Sequence, residues 1–324
     1  MRRSIYLLWV LFMGTFLLSG ERDLRAENLP ACEIVAFTPP SVGSFLTPII
    51  EKRGLDVKNG VQIKWVMKPS KAYNLGYASG EFKVGSSAAL LSEALRRVKG
   101  VKTVYLFGTF DYFGAVLSRD PSIKRLKDLE GKKFAADKVT TNYAMFEYFA
   151  KKEGVDLQKL DTLSAGSSAL MTYLTAGRVD AIQLWEPAFT QIMVEQPGKY
   201  HPIFYHKLWK KYTGLDVSPY LGVAAHEDWI KQNPSVVQKL YNTFKEAERW
   251  LWANEEEGAR IIAEENKLPL SAIQILLKKK DQLGLNVVPA EKVEKEIYEV
   301  FKAGLETKAI EKLPDSGIIY RGIK

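Results

Sequence analysis

One pattern, written twice, limits what this chain can fold into. Lys52-Arg53-Gly54-Leu55-Asp56-Val57 closes a helical run and leads into an alternating apolar strand; Lys152-Glu153-Gly154-Val155-Asp156-Leu157 does the same in the second half. Ala78-Ser79-Gly80-Glu81-Phe82-Lys83 precedes another strand, and Thr175-Ala176-Gly177-Arg178-Val179-Asp180 is its counterpart. Glycine stops helices because it enters the left-handed conformation without a Cβ penalty. One coincidence of this kind means little. Two in register, each between the same kinds of element, predict two βαβαβα lobes built alike.

In the first pass, strands are expected at 34–37, 61–67 and 82–85 and helices at 42–53, 71–78 and 88–98. In the second, strands are expected at 132–136, 160–163 and 179–184 and helices at 140–152 and 169–176. Pro187 then opens a further helix, where its missing N–H costs nothing. Apolar runs at 102–107 and 113–118 lie between the lobes, and another at 220–225 follows Pro219. The remainder reads as helices at 234–253, 256–266, 270–283 and 290–302. The expected fold class is α/β, with two Rossmann-like lobes joined by two crossing strands that serve as a hinge. Lobe one takes 27–118 plus 220–324, and lobe two takes 119–219. Ligands in such sheets bind beyond the carboxyl ends of the strands, so two facing lobes share one cleft.

Arg2 and Arg3 precede an apolar stretch at 5–18, then Ser19, Gly20 and a charged segment at 21–25. This is the layout of a secretory signal, and the stretch falls short of the roughly 20 residues a membrane span needs. Residues 1–26 are read as that signal, which places the mature chain in the periplasm or another extracytoplasmic space. A lipoprotein reading of Leu29-Pro30-Ala31-Cys32 is disfavoured, because charges separate Cys32 from the apolar run and Pro30 fits badly. Hydrophobic residues at 46% and charged ones at 26% exclude a disordered chain. A single Cys leaves no disulfide framework or Cys-based zinc site, and three His leave little for a metal cluster. No metal or cofactor is expected. The net charge of +8 includes Lys278-Lys279-Lys280 and Lys210-Lys211, read as solvated helix faces. Other Lys alternate with Glu, as at 291–296, so nucleic acid is not an expected partner.

Three segments carry a family resemblance. Asp128-Leu129-Glu130-Gly131-Lys132-Lys133 resembles the D-L-x-G-K motif that opens the second lobe of periplasmic solute-binding proteins. Ala176-Gly177-Arg178-Val179-Asp180-Ala181, followed by Trp185-Glu186-Pro187, resembles their G-x-V-D-A…E-P segment. Ser235 after Asn233-Pro234 resembles the return to lobe one. The order and spacing are similar to the sulfonate, nitrate and thiamine-precursor branch, the NMT1/THI5-like proteins, over nearly all of 33–310. Lys83 departs from the acidic residue usual there. The resemblance implies a type II periplasmic-binding-protein fold and a monomer that captures a small organic molecule or anion. The ligand would be pyrimidine-like, or of the sulfonate, taurine or nitrate type. It also implies delivery to an ABC permease with a cytoplasmic ATPase.

The residues themselves place candidate ligand contacts at helix starts, where free N–H groups and the dipole favour anions and polar groups. These are Thr38 and Ser41, with Phe45 just inside the helix; Ser86 and Ser87; and Thr140, Thr141 and Asn142. Ordinary N-capping explains the hydroxyl residues equally well. Trp185 can stack on a planar ligand or belong to the core, and Glu186 can meet a cationic or N–H-rich ligand or favour the helix start. Asp111 and Tyr112, between the hinge runs, suggest an aromatic box with one acceptor; a solvated turn Asp is the competing reading. No Arg lies in these turns, which leans the ligand towards a neutral or heterocyclic molecule.

Catalysis is not expected. The chain lacks a G-x-S-x-G elbow, a P-loop and an H-E-x-x-H motif, and His201 and His206 have the wrong spacing for one helical face. Some relatives synthesise a pyrimidine using their own His and Cys; the export signal and the position of Cys32 argue against that here. A ligand-sensing role in signalling is the alternative to transport.

Overall fold

A computed structural model describes residues 29–138 and 140–324. The expected export signal lies outside the described residues.

The first pass builds β1 (Ala31–Phe37), α1 (Leu46–Arg53), α2 (Leu55–Lys58), β2 (Gln62–Lys68), α3 (Ser70–Ser79), β3 (Val84–Ala89), α4 (Leu90–Val98) and β4 (Thr103–Asp111). The second builds β5 (Gly114–Ser118), β6 (Lys133–Ala136), α5 (Thr141–Lys152), β7 (Asp161–Ser164), α6 (Ser167–Thr175) and β8 (Ala181–Trp185). It ends with α7 (Ala188–Glu195), β9 (His201–Phe204) and α8 (Tyr205–Thr213). The chain returns through β10 (Pro219–His226), α9 (Glu227–Gln232), α10 (Pro234–Ala253), α11 (Glu255–Asn266) and α12 (Leu270–Lys278). It closes with α13 (Lys280–Leu283), β11 (Leu285–Pro289) and α14 (Glu294–Glu306).

Two sheets result, ordered β11-β4-β10-β3-β1-β2 and β7-β6-β8-β5-β9. In each, three strands run parallel, and an antiparallel strand is inserted beside the third: β10 against β3, and β5 against β8. Gly54, Gly80, Gly154 and Gly177 all take positive φ, between 57° and 80°, so the repeated signal was a genuine helix stop each time.

Neighbouring residues in the strands enter opposite cores. Ile34, Val223 and Ala225 pack under α1, α10 and α12, whereas Val35 and Ala224 face the other side. Phe134 and Ala135 divide likewise in the second sheet. This is the period-two pattern of sheets buried on both faces. Cys32 lies inside β1, 1% exposed, with its thiol pushed up to about 12 chiefly by burial. Lys83, the departure from the family pattern, forms a 2.8 Å ion pair with Asp228.

Several sequence expectations need correction. The apolar run at 113–118 belongs to the second sheet, not the first lobe, so the chain crosses at Tyr112–Phe113. Strand-like residues on both sides of the crossing hide that boundary from the sequence. The return crossing is the stretch 214–218. The helix expected at 270–283 breaks at Lys279, and the one expected at 290–302 starts as a 3₁₀ turn, Ala290–Val293. β9, α8 and β11 were not anticipated. Pro187 is the N-cap of α7, one residue before its first turn. Among the described residues, no helix is long and apolar enough to cross a membrane.

Candidate functional site

The carboxyl ends of β1, β3, β6 and β8 converge where the chain crosses between sheets. Thr38 follows β1, is exposed, and gives its N–H to the Lys68 carbonyl at 3.0 Å. Ser41 caps the 3₁₀ turn Val42–Ser44, its Oγ accepting the Gly43 N–H at 3.2 Å. Phe45 is 1% exposed and packs edge-on against Phe110 within the first core. It is a core residue there, not a cleft wall, because the first helical turn sends its ring under the sheet.

Ser86 and Ser87 do not start a helix. β3 runs through both to Ala89, and α4 begins at Leu90 with Ala89 as N-cap. Small residues buried on both faces, Val84-Gly85-Ser86-Ser87-Ala88-Ala89, suit a central strand between β1 and β10. The Ser87 hydroxyl accepts the Phe37 N–H at 3.0 Å. The Ser86 hydroxyl is buried without a partner among the described residues.

On the second sheet, Thr140 is the N-cap of α5, but its Oγ1 donates to the Asp137 carbonyl at 2.9 Å. Thr141 and Asn142 form the first turn. The Asn142 carbonyl accepts Gln183 Nε2 at 2.5 Å and, more weakly, the Tyr112 hydroxyl at 3.5 Å. Tyr112 stands between Tyr205 and Tyr220, with ring centroids 6.2 Å and 5.1 Å away. The Gln183 amide also points at the Tyr112 and Tyr205 hydroxyls, and Asn142 at Tyr220. Even so, Gln183 Oε1, Asn142 Oδ1 and Ser218 Oγ are buried and complete no hydrogen bond among the described residues.

The lobes are shut around this cluster. The space left between Leu90, Leu91, Tyr112, Thr141, Met145 and Ser218 is about 10 Å³, no more than a water's room. α14 lies across the closure, packed on both α4 and α5. Lys152 of α5 holds the carboxylate of Glu306 at 2.9 Å.

The two carboxyls at the hinge do not face this cluster with open valences. Asp111 accepts Asn286 Nδ2 at 3.1 Å, so the acceptor proposed for an aromatic box is engaged by β11. Burial pushes its carboxyl up to about 7, against the pull of that bond. Glu186 accepts from Thr190 Oγ1 at 3.0 Å, Thr190 N–H at 3.2 Å and Gln282 Nε2 at 2.6 Å. It too is pushed up to about 7 by burial, despite these bonds. Trp185 is half-buried against the second core, opposite Gly114 in the β5–β8 ladder.

Glu186 binds its proton more tightly folded than unfolded, where carboxyls titrate near 4. The sign follows: its cost to stability is absent at low pH and grows as pH rises through that window. Relative to Glu186→Gln, the wild-type protein is expected to lose thermal stability as pH rises from about 4.5 to about 7. His206 and His226, whose pKa values are lowered by burial, act in the opposite sense but cancel in this difference. A difference in melting temperature that stays flat with pH would refute the assignment.

Sequence reasoning missed Gln183, Tyr205, Ser218, Tyr220 and Gln282. Only Gln183 left a usable signal, as the one amide in the apolar strand Ala181–Trp185.

Two α/β sheets facing each other across a double crossing define the bilobed binding-protein architecture. The family model described as NMT1/THI5 like matches residues 51–258, and the chain belongs to that family. The fold matches the periplasmic aliphatic sulphonate binding protein SsuA from Escherichia coli, with a TM-score of 0.74 and 18% identity, covering 91% of this chain and 93% of that one. It also matches the alkanesulfonate-binding SsuA from Xanthomonas axonopodis pv. citri bound to MOPS, at TM-score 0.72 and 15% identity, covering 90% and 98%. A Brucella abortus (strain 2308) protein named only as a binding protein is 23% identical over 241 residues, 74% of this chain and 72% of its own.

Proposed function

We propose that the protein is the extracytoplasmic solute-binding component of an ABC importer. It captures a small organic molecule between its lobes, encloses it and hands it unaltered to a membrane permease driven by a cytoplasmic ATPase. The division into lobes falls at Tyr112–Phe113 and at 214–218, and rotation about these crossings opens the cleft. The observation that carries this reading is the buried cluster of Tyr112, Asn142, Gln183, Ser218 and Tyr220 where the strand ends meet. Uncompleted hydrogen bonds on groups at the crossing suit a guest that takes them up once rotation of the lobes widens the space between them, which as it stands has room for no more than a water.

The chemistry of the cluster supports a neutral, flat, N–H-bearing ligand of the pyrimidine type. Its amide and hydroxyl groups carry no charge, and among the described residues no Lys or Arg lines the remaining space. A sulfonate is the second reading, favoured by the likeness in fold to the SsuA proteins. Thermal shift with a panel of aminopyrimidines, alkanesulfonates, nitrate and taurine decides between them. A ligand at one hundred times its Kd adds about 2.7 kcal/mol, a clear rise in melting temperature. The expected hit is a pyrimidine, and its affinity is expected to fall at least tenfold in Gln183→Leu. A rise with alkanesulfonates alone would replace the first reading by the second.

A further inference from the structure

A third connection spans the hinge, beside the two crossing strands. The stretch from α13 to β11 is fixed to the first sheet at the end of β4: the Asp111 N–H donates to the Gly284 carbonyl at 2.7 Å, and Asn286 holds the Asp111 carboxyl. From this anchored corner the Gln282 side chain reaches the second lobe. One bond from Nε2 goes to Glu186 Oε1 at 2.6 Å and another to Thr190 Oγ1 at 2.8 Å. Thr190 Oγ1 in turn donates to Glu186, which closes a ring of three side chains. α12 lies along α7 and continues the same contact between lobes.

We propose that Gln282 and Glu186 form an inter-lobe latch that selects the closed state, with Gln282 acting as a positioning residue for the cleft. Three features support this assignment. Glu186 is 4% exposed, and among the described residues no cation contacts it; Lys279 faces it only at longer range. Its remaining hydrogen bonds, from Thr190, are local to the start of α7, so Gln282 is its partner from the other lobe. The amide is presented by a corner tied to β4, so its placement reports the angle between the sheets. Rotation about 112–113 and 214–218 separates donor from acceptor and leaves both to water. A hydrogen bond to a charged or strongly polarised carboxyl shifts such an equilibrium about ten- to a hundredfold.

The test needs no ligand, so failure of the proposed transport role leaves it intact. Spin labels are placed on cysteines introduced at the exposed positions Lys71 and Asp161, one on each lobe. The native Cys32 is buried in β1 and stays unlabelled. Pulsed electron resonance then reads the inter-lobe distances of the full mature chain. The wild-type protein is expected to give a dominant short distance. Gln282→Ala is expected to move the closed-to-open ratio at least tenfold towards a longer one, with the circular dichroism of the fold retained. Gln282→Glu sets a second carboxyl against Glu186. It is expected to open the protein at pH 8 and to let it close again at pH 5, when a proton is shared, a response that a merely structural role would not give. Unchanged distances in both variants at both pH values, or a wild-type protein that is already open, would overturn the latch.

Discussion

Gly222→Ala is expected to destabilise the protein by about 3 kcal/mol, visible as a lower urea midpoint with an unchanged slope. Gly222 lies in β10, the strand between β3 and β4. A Cβ placed there would meet the Tyr105 hydroxyl and the Phe107 carbonyl, both well inside the 3.0 Å that real Cβ atoms respect. Tyr105 is fully buried, and its rigid ring cannot swing out to solvent. The Phe107 carbonyl belongs to β4, in register with Val223, and can retreat only by breaking the ladder. Both yielding groups lie at the centre of the first sheet, so local relaxation does not absorb the change. An unchanged midpoint would mean that β10 and β4 are further apart than described.

The second large effect concerns charge. Glu93 of α4 is completely buried, and Arg96, one turn later, pairs with it while also holding Asn74 and lying 5.0 Å over the Tyr77 ring. Burial raises the Glu93 pKa even though Arg96 opposes the shift. Arg96→Met is expected to cost about 3–5 kcal/mol, because the carboxylate is left in the core without its partner. The loss is expected to shrink as pH falls and the carboxyl takes a proton. Combining it with Glu93→Gln is expected to restore most of the stability, since an uncharged pair of similar shape has no ion to desolvate. Chemical denaturation of the four proteins in this cycle checks the result; additive losses would show that the pair is not coupled.

The duplicated architecture was legible because helix stops depend on backbone geometry that few residues besides glycine adopt easily. Gly54, Gly80, Gly154 and Gly177 carried that information locally. What escaped was set by long-range pairing. β9 contains Pro202, and its hydrogen bonding to β5 at the sheet edge tolerates the missing N–H. β11 is short and follows two helical turns, so only its pairing with β4 makes it a strand. Ser86 and Ser87 fitted a helix cap and a buried strand equally well in sequence; the neighbours on either side decided for the strand. The site was legible in outline only. Tyr112 and Asn142 sit where the converging elements meet, but Glu186 binds Gln282, which helical periodicity merged into one long helix, and Asp111 binds Asn286 of the unanticipated β11. Gln282 could not be singled out, because nothing near position 282 reveals which residue of the other lobe it will touch.

The position of the two crossings has a consequence for assembly. Asp111 and Pro219 are paired in the β4–β10 ladder, so the chain leaves the first sheet and rejoins it at neighbouring points. All five strands of the second sheet fall between Gly114 and Phe204, and that sheet can be completed without the rest. β3, by contrast, waits for β10 before its second edge is covered. A chain emerging from amino to carboxyl end therefore carries one finished sheet and one open, apolar border at the same time. That border is where a holding chaperone would act, and where a stalled chain would first stick to its neighbours.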